Sequence, residues 1–280
     1  MVFQINAELR YEVPMRSTVL LGIHALASPN QTLRHESFRV TPGVVWEELS
    51  IGLGENRYIR LDTGGASTLE ISYAVTAETR PTLVSHEEIQ DIPIAAIRRS
   101  AIPYLFPSRY CQSDQLGRLA MKQFGGIVHP YRQAVAIADW IFDNIDYLGG
   151  TTDTETSAYD TVTQRAGVCR DFAHLGIALC RALSIPARYF AGYACAMHPP
   201  DFHACFEACI GNRWFIFDPT RRAALNGLIR IATGHDAADA SVATIFGKLV
   251  LTDMSVSCVS DDFQPLGAGD LAGHAILIEP

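Results

Sequence analysis

Long apolar runs are missing from this 280-residue chain. No uninterrupted stretch approaches the roughly 18 to 20 residues that cross a bilayer as a helix, so a membrane protein is not expected. A Lys/Arg block is missing too: 22 basic residues stand against 30 acidic ones, for a formal net charge of −8. Nothing concentrates positive charge for a polyphosphate, and nucleic acid is not an expected partner. The opening MVFQINAELRYEVP lacks a basic stretch, an apolar core and a small-residue cleavage site. That argues against a secretory leader and for a cytoplasmic protein. Internal repeats and low-complexity tracts are absent, which removes solenoids and arrays. The seven cysteines, Cys111, Cys169, Cys180, Cys195, Cys205, Cys209 and Cys258, are odd in number. In a cytoplasmic chain they read as reduced thiols and not as a disulfide framework.

What is present is ample apolar material, 48% of residues, enough for one large or two modest cores. The first hundred residues alternate as strands do, in FQINAELRYEV, STVLLGIHALA, FRVTPGVVWEELSIGL, RYIRLDT and TLEISYAVTAET, separated by Pro, Asn and Gly; a β-sandwich is the economical reading. Three prolines between Gln90 and Pro107 precede a change to helical spacing, which sets the expected division at 1–100 and 101–280. Leu116, Leu119 and Phe124, then Ala134, Ile137, Ala138 and Ile141, mark two amphipathic helices. Thr156 or Ser157 caps a short helix through Arg165. A longer helix begins at Cys169, carries Phe172, Leu175, Leu179 and Leu183 on one stripe, and stops at Pro186. ARYFAGYACA, FHACFEACI and RWFIF then form a meander, with KLVLTDMSVSCV a further strand.

A thiol attacks as thiolate, and a free cysteine near pKa ~8.5 is mostly protonated at neutral pH. At the start of a helix, unpaired amides and the positive end of the macrodipole favour the anion, and Cys169 is placed there. His203 lies on the meander as the candidate general base. Asp218 ends the next strand before Pro219 and falls roughly opposite His203 at the open end of the hairpin, where it would orient the imidazole. Taken singly, Cys169 is a small apolar residue, His203 a structural histidine and Asp218 a turn former. Together they supply nucleophile, base and orienter.

The blocks GVCRDFAH, SIPARYFAGY, FHACFEA and WFIFDPT, in this order, resemble the signature blocks of the bacterial transglutaminase-like superfamily. The resemblance spans about Ser157 to Thr220. It implies an α+β chain, an N-terminal antiparallel β-sandwich followed by a papain-like transglutaminase core with helices packed on an antiparallel sheet. It also implies that Cys169, His203 and Asp218 form a catalytic triad for acyl transfer on a peptide or protein amide; hydrolysis is preferred to cross-linking because water is abundant and no amine-acceptor site stands out, and no cofactor or metal is expected. The Cys169 backbone N–H is the expected oxyanion donor. Gln164 is a candidate second donor, or else a helix-surface residue. Asp171 and His174 read as structural support, and Arg188 as an ion-pair partner outside the site. One departure stands out. The family usually carries an aromatic residue two positions after the histidine, whereas this chain has Cys205, which on the same strand face should lie near His203 and be sensitive to oxidation.

Two rival readings use the same residues. Cys195, His198, His203, Cys205 and Cys209 crowd into fifteen residues and could bind zinc, though their spacing matches no ordinary zinc pattern. Alternatively, a catalytically idle core binds peptides or supports assembly. Oligomeric state is not readable, although a sandwich edge could pair with a second copy.

Overall fold

The computed structural model describes residues 1–51, 56–267 and 269–278. Along β1 (Val2–Glu12), Phe3, Ile5, Ala7, Leu9 and Tyr11 are buried while the alternate positions face solvent, as a strand covered on one face requires. β2 (Thr18–Leu21), β3 (Gln31–Thr41), β4 (Val45–Ile51), β5 (Asn56–Asp62) and β6 (Thr68–Thr79) follow. Leu69, Ile71, Tyr73, Val75 and Ala77 of β6 repeat the same alternation. The apolar segment expected from Phe38 to Leu53 divides into β3 and β4 around Pro42 and Gly43, because proline cannot donate to the ladder; its end, 52–53, falls outside the described residues. β7 (Thr82–Ser85) leaves these sheets for the second half of the molecule.

Short 3₁₀ turns carry the chain from His86 to Leu105. α1 (Ser113–Phe124) buries Leu116, Ala120 and Phe124. α2 (Pro130–Asn144) starts with proline in its first turn, where a missing N–H costs nothing, and buries Tyr131, Ala134, Ile137 and Ile141. β8 (Asp146–Tyr147), α3 (Ala158–Gln164) and β9 (Ala166–Gly167) come next. Ser157 caps α3 in a reciprocal pair: Asp160 N–H donates to Ser157 Oγ, and Ser157 N–H donates to Asp160 Oδ2 at 3.0 Å. α4 (Cys169–Ala182) is buried continuously from Asp171 to Arg181, so it is the central helix, packed against α1, α2, α3 and the sheet. Pro186 lies just beyond it.

β10 (Ala187–Ala194), β11 (Phe202–Ile210) and β12 (Arg213–Phe217) form the expected meander. β13 (Leu228–Gly234), β14 (Ala243–Phe246), β15 (Val250–Val259) and β16 (His274–Leu277) complete the chain. The central antiparallel sheet has the order β13-β10-β11-β12-β16-β7, and two four-stranded sheets, β15-β1-β6-β3 and β14-β2-β5-β4, make the sandwich. The chain is therefore α+β. Each sandwich sheet takes one edge strand from the C-terminal region: β15 runs along β1 from Gln4↔Val259 to Glu12↔Val250, and β14 along β2. The strand expected at KLVLTDMSVSCV is β15, an edge of the sandwich.

An ion cluster ties three neighbouring strands of the central sheet. Glu207 on β11 accepts from Arg188 Nε on β10 at 2.7 Å and from Arg230 Nη1 and Nη2 on β13 at 2.9 and 2.7 Å. All three residues are buried. The two guanidinium groups outweigh the penalty of burial and hold the Glu207 carboxyl down at about 2. Arg188 is thus a structural partner, as expected.

Candidate functional site

The short β8–β9 ladder aims the chain into α4. Asp146 N–H donates to Arg165 O and Leu148 N–H to Gly167 O, both at 2.9 Å, which sets Tyr147 beside Gly167, two residues before Cys169. A Cβ on Gly167 would stand 2.8 Å from Asp171 Cβ, so only glycine lets the turn close onto the first turn of α4. Asp171 in turn accepts the Val168 N–H at 2.9 Å, capping the helix that presents Cys169. His174 is stacked on Tyr110 and accepts the Ala237 N–H at 3.1 Å. Both residues support the scaffold.

β11 carries His203, and Asp218 follows the end of β12. The last paired residues are Phe206↔Phe217, so Asp218 reaches diagonally to His203, and His203 Nε2 lies 2.9 Å from Asp218 Oδ2. Both side chains are almost wholly buried. The same imidazole lies beside the Cys169 side chain, so helix start and sheet bring the three predicted residues together. Asp218 is fixed on its other lone pairs: Oδ1 accepts the Thr220 N–H at 2.9 Å and hydroxyl at 2.6 Å, and Oδ2 the Ala223 N–H at 3.2 Å. Burial pushes the Asp218 carboxyl up, but His203 and the Thr220 bonds outweigh it and leave it below the usual carboxylate range. Burial likewise disfavours the imidazolium of His203; the Asp218 carboxylate and its hydrogen bond to the ring reverse the balance and hold it well above its ordinary value.

Cys205 does lie beside His203, as the strand alternation predicts, its sulfur within 4.8 Å of the imidazole. It is fully buried, and burial pushes its thiol up to about 12. The expected sensitivity to oxidation is corrected by this: a buried, protonated thiol is a poor target.

Two residues that the sequence reading missed complete the surroundings. The Cys169 backbone N–H, the expected oxyanion donor, lies near the Tyr147 hydroxyl, and the Arg222 guanidinium sits 4.4 Å from the Tyr147 ring centroid. Tyr147 follows the end of a helix and Arg222 lies in the loop after Asp218, so neither position has a periodicity that would have flagged it. Gln164, by contrast, is exposed as the last residue of α3. Next to Asp218 opens a cavity of about 630 Å³, bordered by Arg221 and Arg222 and floored by aliphatic side chains.

The five residues of the zinc reading do not converge. Cys209 packs with Tyr104 and Trp214, and Cys195 lies beside Cys258. Among the described residues His203, Cys205 and Asp218 do place possible ligand atoms within 4.8 Å of one another. In this arrangement the Asp218 oxygens accept four hydrogen bonds. All seven cysteines are free thiols.

A nucleophile-type residue heading a buried helix, facing a His–Asp pair on an antiparallel sheet, defines a papain-like α+β core. The comparisons agree. The family model described as Transglutaminase-like superfamily matches residues 118–219, and that of the bacterial transglutaminase N-terminal domain matches residues 1–100. A solved structure described as a "Putative Cysteine Protease from Cytophaga hutchinsonii" is 48% identical, covering 100% of this chain and 98% of that one with a TM-score of 0.96. An uncharacterized protein of Mycobacterium leprae is 29% identical over 202 residues, 68% of this chain and 71% of its own length. An uncharacterized protein of Mycobacterium tuberculosis is 38% identical over 64 residues, 23% of this chain and 20% of its own. The chain belongs to the transglutaminase-like superfamily.

Proposed function

We propose that the protein is a cysteine-dependent acyl-transfer enzyme that hydrolyses an amide or peptide bond through Cys169, His203 and Asp218. The observation that carries this reading is the single imidazole held by Asp218 at 2.9 Å and set beside the Cys169 side chain at the head of α4. In the mechanism His203 takes the Cys169 proton as the sulfur attacks the acyl carbon. The same proton then passes to the leaving nitrogen as the C–N bond breaks, giving a thioester and a free amine. Water, deprotonated by His203, attacks the thioester carbon; the C–S bond breaks, the carboxylic acid leaves and the thiol is restored. Asp218 keeps the ring oriented and its positive form stable, held in place by Thr220 and Ala223. The Cys169 N–H at the start of α4 is the donor for the oxyanion, with the Tyr147 hydroxyl beside it.

The same proposal divides the chain near residue 100, into a sandwich domain, 1–100, whose sheets are completed by β14 and β15, and a catalytic domain, 101–280, whose sheet is completed by β7. The 1–100 family match supports it. A reducing, cytoplasmic site of action is supported by the seven free thiols. Among the described residues no helix is long and apolar enough to cross a membrane.

The test is acyl-enzyme formation. With p-nitrophenyl acetate, a stoichiometric burst of p-nitrophenolate and an acetylated Cys169 peptide are expected, both absent in Cys169→Ala. A burst that persists in that variant, or no acylation of Cys169 at all, contradicts the proposal. The latter would favour an idle peptide-binding core.

A further inference from the structure

The steps above give the oxyanion a single donor, the Cys169 N–H. Gln164, the expected second donor, is exposed at the end of α3. The structure offers Tyr147 instead. Three contacts set its ring beside the first turn of α4. The β8–β9 ladder pairs Tyr147 with Gly167, the Phe172 ring lies 5.7 Å away between centroids, and the Arg222 guanidinium covers the ring at 4.4 Å. Arg222 is itself held, its Nη2 donating to the His198 carbonyl at 2.8 Å. A ring fixed by backbone, by an apolar neighbour and by a cation is preorganised, as an oxyanion donor must be.

The first N–H of a helix has no intrahelical carbonyl to bond, and in α4 that N–H belongs to Cys169, with the Tyr147 hydroxyl near it. An amide and a phenol thus converge at the nucleophile. Burial and the neighbouring Cys169 sulfur raise the Tyr147 hydroxyl above its ordinary value, so it keeps its proton at neutral pH and is available as a donor. Exposure points the same way. Tyr147 is 37% exposed and Cys169 half-buried, whereas His203, Cys205 and Asp218 are buried. The open side of the nucleophile is therefore the side that carries Tyr147, and a carbonyl arriving there brings its oxygen toward both donors.

We propose that the Tyr147 hydroxyl is the second oxyanion donor, acting with the Cys169 N–H, and that Arg222 is a positioning residue that clamps the Tyr147 ring. The inference rests on the acyl-transfer reading and adds two residues to its site.

The test compares two reactions of the same thiol on the full chain. Acylation by p-nitrophenyl acetate forms the S–C bond while negative charge gathers on the carbonyl oxygen, and p-nitrophenolate leaves as the C–O bond breaks. Alkylation by iodoacetamide forms the S–C bond as iodide leaves, and no oxyanion arises. In both the thiol proton passes to His203. The ratio of the two rates at Cys169 therefore separates the oxyanion site from the reactivity of the thiolate. Tyr147→Phe keeps the ring and should lower the acylation-to-alkylation ratio on the order of 100-fold, the scale for one such donor, with alkylation close to wild type. Arg222→Met keeps the hydroxyl but frees the ring and should lower the ratio roughly tenfold. Arg222→Lys, which leaves a cation over the ring, should fall between Arg222→Met and wild type. Peptide mapping assigns both rates to Cys169, and thermal melting of each variant checks that it is folded. A ratio lowered less than tenfold in folded Tyr147→Phe, or alkylation slowed as much as acylation, overturns the inference and leaves the acyl-transfer reading intact. An unchanged ratio in Arg222→Met removes the clamp alone. A wild-type Cys169 that is never acylated overturns both readings.

Discussion

Replacing Glu207 with glutamine tests how the sheet beneath the site is held. Arg188 Nε and Arg230 Nη1 both bond Glu207 Oε2, at 2.7 and 2.9 Å, so these nitrogens are at most about 5.6 Å apart, and the two charges repel by roughly 3 kcal/mol at an effective dielectric near 20. In the native protein the carboxylate cancels that repulsion. Glu207→Gln removes the cancelling charge and leaves two buried guanidinium groups facing each other, and it also weakens three charge-assisted bonds, so the cost should be about 3 to 5 kcal/mol. Urea unfolding followed by tryptophan fluorescence should show the midpoint lowered by on the order of 1 to 2 M. Trp214, stacked under Arg188 at 4.2 Å, reports on the locus itself. The control is Arg188→Met, Glu207→Leu and Arg230→Met combined, which removes all three charges and should recover most of the loss. A single Glu207→Gln that moves the midpoint by less than about 0.3 M would refute the reasoning.

Acid should destabilise the protein below pH 6.5 through two buried histidines. Burial holds His24 down at about 4 and His174 well below its ordinary value, so the unfolded chain binds protons there that the folded chain does not, and stability falls as pH drops through 6.5. His203, raised in the fold, is charged in both states below that pH and adds no slope. About 4 kcal/mol should be lost between pH 6.5 and 4.5. His174→Gln should roughly halve the slope in urea titrations at stepped pH, and an unchanged slope would contradict the assignment. Gly176→Ala should cost about 1 to 3 kcal/mol in the same assay. Its Cβ would stand 2.5 Å from Phe206 Cδ1, a fully buried ring stacked on Phe217; a neutral outcome would mean that α4 can lift from β11.

How much was legible in the sequence follows from which interactions are local. Helix caps and stripes are local, so Ser157 and the start of α4 at Cys169 could be read directly. The meander was legible because β10, β11 and β12 are joined by short turns, and with them the approach of His203 to Asp218. The pairing of β15 with β1 spans nearly the whole chain. An alternating strand reveals its buried face and not its neighbour, so the sandwich could be inferred but not its C-terminal edge strands. Tyr147 was invisible for a related reason: a two-residue parallel ladder, not a motif, sets it at the Cys169 N–H. For Cys205 the alternation predicted position correctly but not chemistry. Proximity to His203 was readable, while complete burial depends on the layers packed over it.

The central claim, that His203 activates Cys169, is tested most directly by iodoacetamide labelling from pH 5 to 9 with peptide mapping, on wild type and on His203→Ala. With the imidazole held basic by Asp218, Cys169 of the wild type should label rapidly at pH 6 to 7 and lose most of that rate in the variant, while buried Cys205 stays unmodified. Equal Cys169 rates in the two proteins across this range would contradict the account.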